Sequence, residues 1–306
     1  MIIDPRHLEQ ISVIVDVGTL SAAAARMGTS QPALSRMIRT LESRIGAPLF
    51  ARNSRPLKPT PLGIELASQG RAIRVAQDRA REAVDLGSAG FEGSLKIGAP
   101  PFLCEKLVSE AIADFVNDRP NIRIDLVPDY FPSLHERLFQ NEIDIIVGPA
   151  KSADPTIADM VFEPLFEDFN VVVGRVGHPL LDGRPIDLDA VTWIGHSDRS
   201  MLRHDMETAL RLMGASKIRF AFQSEAAGAV IEMLKNSDFL TVLPRYAVRA
   251  DTDDHLAIMP ITLPTSDQTI AMMTSSRGEE TGLTADFKGH LRDYVRTHIS
   301  QSTDRP

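Results

Sequence analysis

Residues 29–46, TSQPALSRMIRTLESRIG, constrain the fold more than any other stretch of this chain. Thr29 or Ser30 is placed to cap a helix, and Pro32 falls in its first turn, where a missing N–H costs nothing. Leu34, Ile38, Leu41 and Ile45 then recur at steps of 4, 3 and 4, which makes one apolar stripe. Gln31, Ser35, Arg36 and Arg39 lie away from that stripe. A helix of this kind buries one face and leaves a polar, basic face open.

The residues before it supply the partners for the buried face. Residues 4–17 carry Leu8, Ile11, Ile14 and Val15 at helical spacing behind Pro5, and Gly18 ends that helix. Ser21 is placed to cap a short second helix, and Gly28 ends it. The alanines at 22–25 let a neighbouring helix approach closely. A short helix, a glycine turn and a longer helix with an exposed polar face make a helix-turn-helix pattern. The same spacing also fits a solvated face on an ordinary three-helix bundle. Residues 51–60, ARNSRPLKPT, then place Arg52, Arg55 and Lys58 among proline and asparagine, as in a basic loop or wing.

Charge follows this division. Residues 1–89 hold twelve basic and eight acidic side chains, whereas the remainder holds 21 basic and 33 acidic. The chain as a whole has a formal net charge of -8. A basic first piece on an acidic body suits contact of the first piece alone with a polyanion, although modest charge segregation is common. In a major groove, Gln pairs with adenine, Arg with guanine, and Ser with a base edge or a phosphate.

The run GTLSAAAARMGTSQPALSRMIRTLESRIGAPLFARNSRPLKPTPLG resembles the DNA-binding segment of LysR-type transcriptional regulators. The residues that carry the likeness are Ser30-Gln31-Pro32-Ala33-Leu34-Ser35, Leu41-Glu42, Gly46, Leu49-Phe50, Arg52, Thr60 and Gly63. Thr19-Leu20-Ser21 and Pro61 depart from the usual pattern, and neither touches the exposed face of the third helix. The resemblance implies that Gln31, Pro32, Ser35 and Arg36 face base edges and nearby backbone, with Arg55 entering the minor groove. It implies phosphate contacts for Thr29, Ser30, Arg39, Arg52 and Lys58. Glu42 and Arg44 read as surface or interhelical pairing residues.

Residues 62–86 lack proline and carry Leu62, Leu66, Ile73, Ala76, Ala80 and Ala83 on an alternating register, with Gln69 in the gap. A helix lying on its own domain accounts for that seam. The resemblance implies a dimerisation helix instead, with two recognition helices reading a two-fold pair of half-sites. Residues 87–90, GSAG, read as a hinge.

From residue 93, strands and helices alternate. Strands are expected at 95–99, 122–127 and 143–148, with helices at 103–117 and 133–140. That order implies a parallel sheet covered on both faces. A second set gives strands at 170–176, 191–194, 217–222 and 239–244, with helices near 200–213 and 225–235. A strand at 269–274 and a helix near 283–299 close the chain. The two-lobed body resembles the family's effector domain, and Gly177-His178-Pro179-Leu180 matches a family signature.

The expected fold class is therefore α+β and multidomain. Residues 1–61 form a winged helix-turn-helix, 62–90 a linker helix and hinge, and 91–306 an α/β effector-binding domain of periplasmic-binding-protein type. By that resemblance, lobe I takes 93–163 with 268–300, and lobe II takes 164–267. The resemblance implies double-stranded DNA, a small-molecule effector and further copies of the chain as partners, with RNA polymerase added for an activator.

The effector is expected between the lobes, where strand ends and helix N-termini converge. Ala99, Pro100, Pro101, Phe102, Pro149, His196, Ser197, Ser200, Arg203, Gln223 and Ser224 are the candidate contacts. Pro100 and Pro101 offer no N–H, so an apolar part against Phe102 is expected, with an acid group meeting Ser197, Ser200, Arg203 or Ser224. Each serine fits helix capping equally well.

Catalytic chemistry is not expected. The eight histidines are scattered without metal-ligand spacing, and there is no G-x-S-x-G elbow or phosphate-cradling glycine loop. Cys104 has no second cysteine to resolve it, which points to a buried apolar thiol and excludes an intramolecular disulfide. No cofactor or metal is expected. With no apolar leader or membrane-spanning run, a cytoplasmic location is expected. A solute receptor of the transport type would share the body and lack the attached helix-turn-helix.

Overall fold

The computed structural model describes residues 2–51, 56–150, 160–182, 186–198, 201–249, 255–264, 267–276 and 280–299. It falls into two compact units that divide near Gly90.

In the first unit, α1 (Pro5–Val17) starts on Asp4, whose carboxylate accepts from the Arg6 amide at 2.9 Å, and stops at Gly18 with φ 72°. Thr19, not Ser21, caps α2 (Leu20–Arg26) through a bond from the Ala22 amide at 3.2 Å. The residue at the extended position is the one able to cap, and Ser21 already lies inside the helix. Ser30 caps α3 (Gln31–Ile45), and Gly46 closes it at φ 79°. Ile11, Ile14, Ala23, Leu34, Leu41, Leu49 and Ala67 form the core of this unit.

Helix α4 (Pro61–Ser88) starts one residue earlier and ends later than the sequence suggests. Thr60 caps it and also donates to the Pro48 carbonyl at 2.8 Å, so Pro61 is a first-turn proline. Gly87 and Ser88 belong to the helix rather than to a hinge, and the left-handed turn falls at Gly90. The buried positions of α4 are Gly63, Ala67, Gly70 and Leu86. A Cβ on Gly70 would stand 2.0 Å from the Leu8 carbonyl oxygen, so only glycine allows α1 and α4 this close. Arg71 and Arg74 hold Asp16 at 2.7 and 3.1 Å along the same contact. Ala76, Ala80 and Ala83 of the expected seam are exposed, beside Val84 at 68%.

The second unit starts with β1 (Gly93–Ala99), which pairs in parallel with β2 (Ile122–Pro128) and β3 (Ile145–Ala150). The first connection is α5 (Pro101–Leu103), a π-helical turn Cys104–Val108, and α6 (Ser109–Asn117). The second is α7 (Ser133–Phe139). The strand expected at 170–176 is part of a longer one, β4 (Met160–Arg175). Its register shifts between Pro164 and Phe166, where proline cannot donate to the ladder. The expected lobe boundary at 163/164 thus lies inside a continuous strand.

Lobe II adds β5 (Thr192–Gly195), α8 (Met201–Leu212), β6 (Arg219–Gln223), α9 (Ala227–Lys235), β7 (Thr241–Pro244), α10 (Arg245–Arg249) and β8 (Leu256–Ile258). The chain returns through β9 (Asp267–Ser275), antiparallel to both β3 and β4, and ends in α11 (Gly282–His298). The main sheet runs β2-β1-β3-β9-β4-β7. Helices cover both faces of each lobe. Phe115 of α6 meets Phe287 of α11 edge-on at 5.3 Å, whereas Leu134 and Leu138 of α7 cover the other side. In lobe II, Met206 and Leu210 of α8 pack with Trp193, and Val230 and Leu234 of α9 pack with Val171 and Val173. No helix among the described residues is long and apolar enough to cross a membrane.

Candidate functional site

There is one candidate surface in each unit. In the first, α3 presents its N-terminal turn outward. Thr29, Ser30, Gln31, Pro32, Arg36 and Arg39 are exposed, and Ser35 is half-buried. The stripe Leu34, Ile38 and Leu41 is buried beneath them, which fixes the direction of the polar face. The Ser30 hydroxyl is committed to the Ala33 amide at 3.3 Å. Ser21 donates to Gln31 Oε1 at 3.4 Å, and Arg39 Nε donates to the Ser35 carbonyl at 3.3 Å. Lys58 is exposed on the returning arm of the wing, whose base is closed by Ala51 donating to the Lys58 carbonyl at 2.8 Å. Arg52 and Arg55 lie outside the described residues.

Glu42 has a role that its charge did not reveal. Its Oε1 accepts from the Leu49 amide at 2.7 Å and the Phe50 amide at 3.3 Å. It thereby ties the end of α3 to the start of the wing. Arg44 donates to the Ile2 carbonyl at 3.3 Å.

In the second unit, a cavity of about 60 Å³ lies between the lobes. Pro100, Phe102, Tyr130, Phe131 and Pro149 line it from one side, and Asn170, Leu202, Asp205, Pro244, Tyr246 and Ala247 from the other. Leu103, Gln268 and Ile270 complete the wall. Phe102 is buried in the lobe II cluster with Ile194 and Ala227, and meets the His196 ring edge-on at 5.9 Å. It therefore wedges the end of β1 into the opposite lobe.

Of the expected contacts, Pro100, Phe102 and Pro149 line this cavity. Ala99 is fully buried behind it, and its carbonyl accepts from the Cys104 thiol at 3.3 Å. Pro101 faces a second, more open depression of about 600 Å³, shared with Glu105, Asp129, Tyr130 and Glu225. His196 is wholly buried behind Phe102, and its Nε2 donates to the Val242 carbonyl at 3.0 Å. Burial and the nearby Arg203 charge push its pKa down to about 4, against the opposing pull of that carbonyl. The ring is therefore neutral at pH 7. Arg203 pairs with Glu207 and lies 3.5 Å over the Phe220 ring, off the cavity wall. Ser197 is half-buried, and Gln223 is exposed at the end of β6. Ser224 accepts from the Ala226 amide at 3.1 Å, as a turn residue before α9. Ser200 lies outside the described residues. Cys104 is buried, and burial with the adjacent Glu105 raises its pKa to about 12, so the thiol stays protonated.

Tyr130, Phe131, Tyr246 and Ala247 are not among the expected contacts, though each follows a strand end, where ligands gather in open α/β sheets. Asn170 and Gln268 lie within the crossing strands, and only the observed register of β4 and β9 brings them to the wall.

Residues 5–64 match the family model described as "Bacterial regulatory helix-turn-helix protein, lysR family". Residues 88–296 match the "LysR substrate binding domain". The chain is 30% identical over 245 residues to the HTH-type transcriptional regulator GbpR of Azospirillum brasilense, covering 78% of this chain and 71% of that one. It is 27% identical over 262 residues to the regulator PcaQ of Agrobacterium fabrum, covering 84% and 83%. Among solved structures, CbnR, a LysR family transcriptional regulator, superposes with a TM-score of 0.61 at 17% identity, covering 96% of this chain and 99% of that chain. Full-length OxyR from Pseudomonas aeruginosa gives 0.58 at 20% identity over 100% of both chains. These two structures share the fold.

Proposed function

The chain belongs to the LysR-type transcriptional regulators, DNA-binding proteins with a substrate-binding domain and not enzymes, and from that premise we propose how this member reads DNA and senses its effector. The exposed first turn of α3 enters a major groove. Gln31 and Arg36 reach base edges, while Ser35 and Pro32 lie against nearby backbone. Thr29, Ser30, Arg39, Arg52 and Lys58 hold phosphates, and Arg55 reaches the minor groove. The observation that carries this reading is the pairing of a buried Leu34–Ile38–Leu41 stripe with an outward polar face containing Gln31 and Arg36.

The effector is a small organic molecule whose apolar part rests against Phe102 in the interlobe cavity. The sequence points to an organic acid with an apolar part. Binding acts on DNA by favouring one arrangement of the lobes over another, because a ligand that prefers neither shifts nothing. The exposed Ile64 and Val84 on α4 are consistent with contact to another copy of the chain. RNA polymerase would be a further partner if the protein is an activator, and the protein would work in the cytoplasm.

Site selection from random duplex DNA by the full-length protein tests this function. Enrichment of a two-fold symmetric pair of half-sites is expected. Recovery of unrelated sequences, with and without added small molecules, would count against sequence-specific binding.

A further inference from the structure

Resting on the reading of the interlobe cavity as the effector site, we infer that its ligand is a small apolar molecule bearing a hydroxyl group, anchored on the Asn170 carboxamide. Asn170 is 7% exposed, lines the cavity, and has no hydrogen-bond partner for its Oδ1 among the described residues. An unpaired buried acceptor is costly. A ligand that brings a donor removes that cost, and a ligand that brings only acceptors does not.

The rest of the wall narrows the class. Phe102, Leu103, Phe131, Leu202 and Ile270 make it mostly apolar, and no lysine, arginine or histidine is among its described residues. Asp205 is the charged side chain there. A carboxylate in this space would lose its water beside a like charge, with no cation to pair. Arg203, two residues before Asp205 on α8, is turned to Glu207 and Phe220. An ammonium group would need Asp205, which already has a partner of its own. A hydroxyl is neutral, donates to Oδ1, and accepts from the amide nitrogen if the carboxamide turns over. The cavity of about 60 Å³ holds only a few water-sized spheres, so a ring or chain beyond the hydroxyl requires the lobes to separate further. That requirement couples occupancy to lobe position.

The test is titration of the full-length protein with four probes that share a phenyl ring bearing one carbon: benzyl alcohol, benzoate, benzylamine and toluene, followed by calorimetry. Benzyl alcohol is expected to bind at least about ten-fold more tightly than the other three. Asn170→Leu should erase its advantage over toluene, and Asn170→Asp, which keeps an acceptor, should retain it. Benzoate binding as tightly as the alcohol would overturn the inference, and so would an alcohol preference unchanged in Asn170→Leu. The wild-type ranking decides the matter if Asn170→Leu fails to fold. Phe102→Ala separates the two layers. If it weakens every probe while benzoate ranks first, the cavity reading stands and the hydroxyl assignment falls. If no probe binds, or binding ignores Phe102→Ala, both fall.

Discussion

The Glu105 carboxylate, on the π-helical turn of lobe I, accepts a hydrogen bond at 3.0 Å from the Gly228 amide, in the first turn of α9 in lobe II. Helix α9 lacks a cap of its own, because Ala226 stands at its N-cap position with no side-chain bond. The opposite lobe supplies the acceptor and places a negative charge at the positive end of the helix. Tyr130 adds a longer bond across the same gap, from its hydroxyl to the Glu225 carbonyl at 3.4 Å. Glu105→Ala is expected to cost about 0.5–2 kcal/mol, the usual range for a lost cap. It should also speed hydrogen exchange at the first amides of α9, with Glu105→Gln between the two. Unchanged exchange at Gly228 would show that the bond holds nothing in solution.

Glu42 makes a sharper case within the first unit. Glu42→Ala strands the Leu49 and Phe50 amides, both on buried residues, and should destabilise the unit by about 1–3 kcal/mol. Glu42→Gln keeps an acceptor and should cost less. Denaturant unfolding of the two variants beside the wild type checks the order.

The close approach of α1 and α4 gives a paired glycine test. Gly70→Ala drives a methyl group into the Leu8 carbonyl and should destabilise by several kcal/mol or prevent folding. Gly87→Ala, in the same helix with open space around it, should be neutral or stabilising by about 0.5–1 kcal/mol. Thermal unfolding midpoints should move in opposite directions or differ widely.

Acidification should weaken the second unit through His196. Its folded pKa of about 4 lies below the 6.5 of an ordinary histidine, so the unfolded chain takes up the proton first. Stability is therefore lost as pH falls from about 6.5 to about 4, by up to roughly 3 kcal/mol. Asp168 opposes this. Burial raises its pKa from 3.8 to about 6, against bonds from its neighbours, so the folded state binds that proton more readily. Its contribution grows as pH falls from about 6 to about 4. Asp168→Asn should thus raise stability at pH 7 and steepen the acid loss, measured by denaturant midpoints across pH 4–7.

The sequence was most legible where local chemistry decides structure. The stripe Leu34–Ile38–Leu41, Pro32 in the first turn and Gly46 at φ 79° fix α3 without help from distant residues. Ser21 is the expected cap of α2, and the backbone geometry gives that place to Thr19 instead. The α/β order of the body was legible from its alternating strands and helices. The length of β4 was not, because residues 160–169 mix exposed and buried positions without strict alternation. In the cavity, Pro100, Phe102 and Pro149 were visible at strand ends. Asn170 was hidden in an apolar strand, and Arg203 was expected to meet a ligand although it satisfies itself on Glu207 and Phe220. Partners brought together by long-range pairing leave no local trace.

The most direct measurement of the central claim compares wild type and Arg36→Ala on a selected DNA site and on unrelated DNA, over a salt series. Arg36→Ala is expected to lose about 1–3 kcal/mol on the selected site and far less on unrelated DNA, which collapses the specificity ratio. Lys58→Ala in parallel should weaken both alike and lower the salt slope by about one. Equal losses on both DNAs for Arg36→Ala, or none on either, would contradict the placement of the α3 face in the groove.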